Sequence, residues 1–152
     1  MRIGIISDTH DHLLKIKHAV EIFNEHKIGY LLHAGDYIAP FSLNPLNDLI
    51  CDWRGVFGNN DGEREGLIKK SAGKIENPPL FLEFAKKRIA VMHEFKDVGA
   101  DVVIYGHTHK PRIEENNGKL LINPGEACGW LYMKPSIVVL DLETMKPELI
   151  YF

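Results

Sequence analysis

Short apolar runs that each end in a possible metal ligand are the feature that most constrains this chain. Five such runs occur, and the polar residues that follow them are Asp8 with His10, Asp36, Asn59, His93, and His107 with His109. Short runs rich in Val and Ile are typical of the buried strands of an α/β sheet. Ligands of such sheets bind just beyond the carboxyl ends of the strands. The sequence therefore predicts that polar side chains from five strands converge on one crevice.

Length and composition limit the classes of protein that need to be considered. The chain has 152 residues, 45% of them hydrophobic, which suits one domain over residues 1–152 that buries roughly 70% of its unfolded surface. The net charge of −3 lacks the basic footprint of a general nucleic-acid binder, so nucleic acid is expected only as a substrate. Cys51 and Cys128 lack metal-site spacing, and no long apolar span or secretory segment is evident. We therefore expect free thiols, no membrane contact and a cytoplasmic location.

The pattern of predicted elements changes once along the chain. Residues 2–57 alternate strand (2–7, 29–34, 51–57) with helix (about 12–27 and 43–50), and a short helix is expected over 62–70. Asp11 is placed to cap the first helix and Gly29 to end it. The second half is rich in predicted strands, at 80–84, 87–93, 102–105, 111–115, 119–122, 136–141 and 147–151, with a hairpin turn at Asn116-Asn117-Gly118. This order predicts an α/β (α+β) fold with two sheets packed face to face and helices outside.

The chemistry of the strand ends begins with Asp8-Thr9-His10. Residues two apart on an extended segment point the same way, so this carboxylate and imidazole are expected to hold one metal ion. His107-Thr108-His109 repeats the spacing, and Gly35 before Asp36 and Gly58 before Asn59 permit sharp turns. Each residue alone can instead be a turn residue or a helix cap, and for Asp36 or Asn59 in isolation that is the better interpretation. The recurrence of the same arrangement in one small domain is what favours a metal site.

The ligand types indicate which metals and which reaction to expect. Oxygen and nitrogen ligands without a thiolate favour Mn, Fe, Zn, Ni or Co over a structural zinc site. Two such ions roughly 3.5–4 Å apart, bridged by one carboxylate, form a clamp for in-line displacement at phosphorus. Asp36 is the expected bridge. A water acidified by both ions, present as metal-bound hydroxide, would then be the nucleophile.

These motifs resemble a known family. The order Asp8-x-His10, Gly35-Asp36, Gly58-Asn59-Asn60-Asp61, His93 and Gly106-His107-Thr108-His109 resembles the calcineurin-like metallophosphoesterases, in particular their small single-domain archaeal and bacterial phosphodiesterases. The resemblance runs from Arg2 to the Asn123-Pro124-Gly125 turn and implies a two-layer β-sandwich flanked by helices. It also implies two divalent ions and a small phosphodiester substrate, with Mn expected first and Ni, Fe, Zn or Co as alternatives. The first ion would be held by Asp8, His10, Asp36 and His109, and the second by Asp36, Asn59, His93 and His107.

Two departures from the family pattern bear on function. Many members have a His directly after the ligand Asn, where it serves as general acid or binds phosphate, whereas this chain has Asn60. An amide cannot deliver a proton to a leaving alkoxide, so diesters are favoured over alkyl monoesters. In addition, only residues 94–101 separate two predicted strands after His93. A parallel crossover normally needs a dozen residues or more, so either this link is unusually tight or the local topology differs and moves His93 away from the other ligands.

Asn60, Asp61 and Arg64 are the candidate catalytic residues. Arg64 is expected to contact a substrate phosphate, or else to be a solvated helix residue, and Asp61 to orient a neighbour or to cap the helix near Gly62. The apolar segment Gly129–Met133 is compatible with a substrate wall, a subunit interface or core packing. A homo-oligomer is therefore left open.

Three functions follow from these observations. The first is a metal-dependent phosphodiesterase. The second is a non-catalytic scaffold on the same fold, as in the retromer subunit that resembles these enzymes but has a degraded metal centre. The third is a nuclease, which the acidic charge balance and the lack of an added capping domain disfavour.

Overall fold

Two β-sheets packed face to face form the frame of the protein. The computed structural model describes residues Met1 to Phe152. Its first sheet has the strand order β11-β10-β1-β2-β3-β4, and its second has the order β5-β6-β7-β9-β8. The strands of the first sheet are β1 (Arg2–Ile6), β2 (Tyr30–His33), β3 (Asp52–Val56), β4 (Ile75–Glu76), β10 (Ser136–Asp141) and β11 (Lys146–Tyr151). Those of the second are β5 (Leu80–Phe84), β6 (Lys87–Val91), β7 (Val102–Ile104), β8 (Arg112–Asn116) and β9 (Lys119–Asn123).

Both sheets contain a parallel centre, and this brings the predicted strand ends together. Strands β1, β2, β3 and β4 run parallel in the first sheet, as do β6, β7 and β9 in the second. The antiparallel strands are β10 and β11 on one side of the first sheet, and β5 and β8 at the two edges of the second. Because parallel strands end at the same edge of a sheet, the segments after β1, β2, β3, β6 and β7 can face one another.

Three apolar layers hold this arrangement. Side chains between the sheets form one buried cluster, which includes Ile5 and Leu32 from the first sheet and Ile104 from the second. The other face of the first sheet packs on helix α1 (Leu13–Glu25) through residues such as Phe23. A small third cluster on the outer face of the second sheet is covered by Val98 and Ala100. Each buried aliphatic or aromatic side chain contributes roughly 1.5–3 kcal/mol by leaving water.

The helices cover only one of the two sheets, which refines the expected sandwich. Helix α1, the 3₁₀ helix Pro40–Asp48 and helix α2 (Arg64–Lys70) all contribute to the cluster on the first sheet. The second sheet instead has the irregular link of residues 92–101 on its outer face. The two-sheet α/β prediction is confirmed, with its helices on one side. No helix combines the length and the apolar composition that crossing a bilayer requires.

Several local predictions differ from the structure. The segment predicted as a helix over 43–50 is the 3₁₀ helix Pro40–Asp48, whose interior contains Pro45, a residue that cannot donate the backbone hydrogen bond of an α-helix. The capping prediction for α1 is wrong, because His12 is the N-cap residue and Asp11 accepts a hydrogen bond from Ala39 N instead. The helix ends at Glu25 with Lys27 in a left-handed conformation, four residues before the predicted Gly29 stop. The two-residue strand β4 was not predicted, because so short a segment has no detectable period.

Candidate metal centre

The loops after β1 and β2 are joined by backbone hydrogen bonds. Asp8 N donates to Gly35 O at 3.0 Å, and the amides of Thr9 and His10 both donate to Asp36 O at 3.1 Å. The loop after β7 joins them, since His107 N donates to Asp8 Oδ2 and Gly106 N donates to His93 O. These main-chain bonds, together with the one to the Asp8 carboxylate, fix the relative positions of Asp8, Asp36 and His93 without a metal ion.

Five of the seven predicted ligands have a left-handed backbone. The φ angles are 53° at Asp8, 39° at His10, 60° at Asp36, 66° at His107 and 61° at His109. Such angles are uncommon outside glycine, cost about 1–3 kcal/mol each, and cluster at functional sites. The extended geometry expected for the two spaced pairs is therefore wrong. Tight turns bring the side chains of Asp8 and His10 together. Similar turns point the side chains of His107 and His109 towards different parts of the crevice.

Glycines beside the ligands allow the loops to approach closely. Gly35 has a φ of 97°, and a Cβ atom at this position would lie 2.8 Å from both Gly58 N and His93 Nδ1. A Cβ at Gly58 would collide with the Asp36 carboxylate, and one at Gly106 would collide with Ser7 and approach Asp8 Oδ2 to 2.6 Å. These positions need glycine because the loops that carry the ligands touch there.

One set of side chains comprises Asp8, His10, Asp36 and His109. Their ligand atoms all lie within 4.8 Å of one another. Asp8 Oδ1 lies 3.3 Å from His109 Nε2 and 3.8 Å from His10 Nε2, while Asp36 Oδ2 lies 3.4 Å from His10 Nε2. Asp8 Oδ1 and His10 Nε2 are buried without a hydrogen-bond partner. Two buried, unpartnered polar atoms that face the same point are what a cation site requires.

A second set comprises Asn59, His93 and His107 and shares Asp36 with the first. Asn59 Oδ1 lies 2.8 Å from His93 Nε2 and 2.9 Å from His107 Nδ1, and Asp36 Oδ2 lies 3.4 Å from His93 Nε2. The Ala34 carbonyl can only accept, so His93 Nδ1 donates to it at 2.8 Å and leaves Nε2 facing Asp36. The short link therefore keeps His93 in the crevice, and the structure brings all seven predicted ligands together.

The charged groups of the crevice shift one another's proton affinities. Burial works against ionisation of Asp36, but hydrogen bonds from His93 and Asn60 outweigh it and hold the pKa of this carboxyl well below its usual range. Burial lowers the pKa of His10 and of His93, whereas the carboxylates of Asp8 and Asp36 raise it, and the net shift is upward for both. The crevice thus holds carboxylate charge that imidazolium protons or metal ions can neutralise.

Asp61 lies behind the crevice rather than inside it. Its Oδ1 accepts hydrogen bonds from the amides of Tyr37 and Ile38, and its Oδ2 accepts from those of Asp36 and Gly58, at 2.7–3.0 Å. Both oxygens are therefore fully engaged by backbone amides, so Asp61 orients its neighbours and does not itself face a substrate. The capping alternative is wrong, because Glu63 is the N-cap residue of α2. Asp61 positions the loop that carries Asp36.

Asn60 and Arg64 lie nearer to the open side of the crevice. Asn60 Nδ2 donates to Asp36 Oδ2 at 2.8 Å, which places the amide within reach of both ligand sets. Arg64 donates from Nε to Asp61 O and from Nη1 to Asn77 Oδ1, and its guanidinium stacks 4.9 Å from the centre of the Phe57 ring. Arg64 is exposed, as the solvated-helix alternative expects, but these contacts hold its side chain on the wall of the same cavity as Asn59.

Glu126 is a site residue that the sequence analysis missed. It is fully buried directly after the Asn123-Pro124-Gly125 turn, and its Oε2 accepts from His109 Nδ1 at 2.8 Å. Its carboxylate also accepts from the amides of Leu131 and Tyr132. Burial opposes ionisation, but these donors outweigh it and lower the pKa of Glu126. The proton held on His109 Nδ1 leaves Nε2 free to face Asp8. The only signal in the sequence was a lone carboxylate following a turn in an apolar region.

Replacing Glu126 by glutamine is expected to weaken divalent metal binding by about 10–100-fold, the usual cost of losing a partner that orients a metal-binding histidine. The amide would present a donor either to His109 Nδ1 or to the amides of Leu131 and Tyr132. Metal titration of Glu126→Gln against parent protein measures the effect. Glu115→Gln, on the exposed edge strand β8, is the matched control. Equal metal affinity in all three proteins would contradict the positioning role.

Two further features border the crevice. His33 is buried, stacks on Tyr37 and lies 3.2 Å from Thr9 Oγ1, and burial lowers its pKa to about 3. It is therefore a neutral packing residue.

The core-packing alternative for the apolar segment Gly129–Met133 is wrong, because Trp130 is 58% and Met133 84% exposed. Trp130 stacks on His12 and donates to His10 O, so this loop borders the crevice, and the substrate-wall and subunit-interface alternatives both remain.

Comparison with known proteins gives a consistent result. A profile of the calcineurin-like phosphoesterase superfamily domain matches residues 1–145. The chain is 38% identical to a phosphodiesterase of Methanocaldococcus jannaschii, with 94% of each chain covered. Its fold is similar to the structure of an archaeal phosphodiesterase, with a TM-score of 0.91, 36% identity and 100% of both chains covered. Vps29 from Entamoeba histolytica has a TM-score of 0.74 at 21% identity, with 100% and 99% covered, which is a likeness of fold alone.

Proposed function

The chain belongs to the calcineurin-like phosphoesterase superfamily and is a hydrolase of phosphoric esters, and from this premise we propose that it cleaves small phosphodiesters with two divalent metal ions. The observation that carries the proposal is the position of Asp36. Its Oδ2 lies 3.4 Å from His10 Nε2 on one side and 3.4 Å from His93 Nε2 on the other. One carboxylate oxygen thus faces two separate sets of nitrogen and oxygen atoms, as a bridge between two ions would.

The residues present fit a pair of metal ions. Asp8 Oδ1 and His10 Nε2 are buried and unpartnered, and no thiolate belongs to either ligand set. Asp8, His10, Asp36 and His109 would hold the first ion. Asp36, Asn59, His93 and His107 would hold the second. An oxygen and nitrogen ligand set of this kind suits Mn, which we propose as the native ion, with Ni, Fe, Zn or Co as alternatives.

The protein contributes position and charge to the proposed reaction. When bound, two divalent ions acidify a water and neutralise charge on the phosphoryl oxygens. The Ala34 carbonyl accepts a hydrogen bond from His93 Nδ1 and fixes that ring. The Glu126 carboxylate does the same for His109. Asp61 holds the Asp36 loop through three amides and joins it to the Asn59 loop through the amide of Gly58. The Nε and Nη1 atoms of Arg64 are engaged, and its Nη2 can donate to a phosphoryl oxygen bound in the cavity that Arg64 and Asn59 both line.

Hydrolysis of a nitrophenyl diester in the presence of Mn separates this function from a scaffold role. A phosphodiesterase should hydrolyse bis(p-nitrophenyl) phosphate, and Asp8→Asn should remove most of that rate because the first ligand set loses a charge. Asp141→Asn, at the end of β10 and outside both ligand sets, is the matched control. No metal-dependent hydrolysis by the parent protein would reject the enzyme in favour of the scaffold.

Asn60→His is expected to raise monoesterase activity relative to diesterase activity. The imidazole would stand beside Asp36, where it can give a proton to a leaving alkoxide and a positive charge to a monoester dianion; general acid catalysis is worth about 10²–10⁴-fold. A rate series over aryl and alkyl esters should show a flatter dependence on the leaving group than in the parent. Asn47→His, in the exposed part of the 3₁₀ helix, is the control. Parallel slopes would show that residue 60 does not face the leaving group.

His93→Ala is expected to remove about half of the bound metal, because His93 belongs to only one of the two ligand sets. Metal content per chain after dialysis against a modest excess of Mn measures this. His18→Ala, on the exposed face of α1, should leave metal content unchanged. An unchanged value in His93→Ala as well would show that the second set does not depend on this ring.

A further inference from the structure

A cavity of about 220 Å³ opens beside the second ligand set. Asn59 and His93 form the side of the cavity that faces the proposed metal centre. Asp8, His10 and His109 do not line it, so it lies on one side of the centre only. A molecule whose phosphoryl group sits between the two ligand sets would therefore have a single recess next to it.

The other walls of the cavity combine apolar side chains with the exposed, charged residues Glu94 and Lys96. Phe57 and Met92 are almost fully buried, Pro79 forms part of the rim, and Val98 is half-buried on the link between β6 and β7. The link is held by Lys96 N, which donates to Met92 Sδ at 3.1 Å. Val98 also packs against the apolar cluster on the outer face of the second sheet. The recess thus offers the apolar surface of Phe57, Met92 and Val98 to a bound group, with the charged side chains beside it.

The size and the mouth of the cavity restrict what can enter. Sites for drug-sized ligands are about 300–1,000 Å³, so a volume of about 220 Å³ suits one ring-sized group. Arg64 stands at the mouth with its guanidinium stacked on Phe57 and its Nη2 free. A guanidinium plane stacks well on aromatic rings and binds phosphoryl oxygens. The combination favours a flat aromatic group attached directly to a phosphate.

The position of Asn60 indicates which ester group would occupy the cavity. Asn60, proposed above to stand beside the leaving oxygen, turns towards Asp36 and is not part of the cavity wall. The leaving group therefore departs on another side of the phosphorus. We propose that the cavity binds the ester substituent that stays on phosphorus, and that this substituent is aromatic and about one ring in size. The inference rests on the phosphodiesterase function proposed above.

Two diesters with the same leaving group test the proposal. Phenyl p-nitrophenyl phosphate and methyl p-nitrophenyl phosphate differ only in the group that stays behind. The metal-loaded parent protein should prefer the phenyl diester by at least about 10-fold in kcat/KM, because a buried ring leaves water. Val98→Trp, which fills the cavity, should lower kcat/KM for the phenyl diester to the level of the methyl diester and change the methyl diester by less than about 2-fold.

A control variant and an NMR measurement complete the test of the cavity. Ile113→Trp places the same side chain on exposed strand β8 and should keep the parent preference. In methyl NMR spectra, phenylphosphonate should shift Met92 and Val98 resonances of the parent, whereas methylphosphonate should not. An equal loss on both diesters in Val98→Trp, or a parent without preference, overturns the cavity assignment. Hydrolysis of neither diester by the parent would instead reject the proposed function.

Discussion

Asp36→Ala is expected to lower metal-dependent diester hydrolysis by at least about 10³-fold, more than the loss of any other single proposed ligand. Asp36 is the residue shared by both sets, facing His10 and His93 at 3.4 Å each. Its removal disturbs both ions, and a loss of roughly 4 kcal/mol in transition-state stabilisation corresponds to this factor. Initial rates with bis(p-nitrophenyl) phosphate under saturating Mn measure the effect.

Two further variants show whether the loss comes from the bridge. Asp36→Asn keeps the shape of the side chain but removes its charge, so it should also lose most activity while it retains the fold. Asp48→Ala removes an exposed carboxylate from the end of the 3₁₀ helix and should behave as the parent. Activity of Asp36→Ala within a few-fold of the parent would rule out Asp36 as the bridge.

Removal of the metal is expected to have an effect of similar size. Exhaustive chelation should abolish hydrolysis, because the proposed reaction depends on a water acidified by the two ions. Addition of Mn should restore the rate, and the other candidate ions should restore it to different extents. Metal-free protein should also unfold at a lower temperature than Mn-loaded protein, since an ion that binds only the folded state stabilises it. Full activity after verified metal removal would contradict the mechanism.

The sequence was sufficient to predict which strands carry the site. Apolar runs that end at Ile6, His33 and Val56 are readable from the sequence, and parallel pairing then places their carboxyl ends together. The alternation of the first half and the strand-rich second half likewise predicted two sheets. The position of the helices on one sheet only was not predictable, because the cover of the other sheet depends on how the link around Val98 packs.

The fine geometry of the site was beyond the sequence for identifiable reasons. A left-handed backbone at non-glycine residues such as Asp8 and His107 is imposed by hydrogen bonds between loops that are far apart in the chain. The roles of Asp61 and Glu126 depend on backbone amides contributed by other segments. A lone carboxylate in a sequence normally indicates a surface residue. Only the folded chain shows that these two are enclosed by donors.

The central claim is that two metal ions share Asp36. A crystal structure of Mn-loaded protein, with anomalous scattering recorded at the Mn absorption edge, tests it most directly. The account predicts two anomalous peaks per chain, roughly 3.5–4 Å apart, both bonded to the Asp36 carboxylate, one beside Asp8, His10 and His109 and the other beside Asn59, His93 and His107. A single peak, or two peaks of which only one touches Asp36, would contradict it.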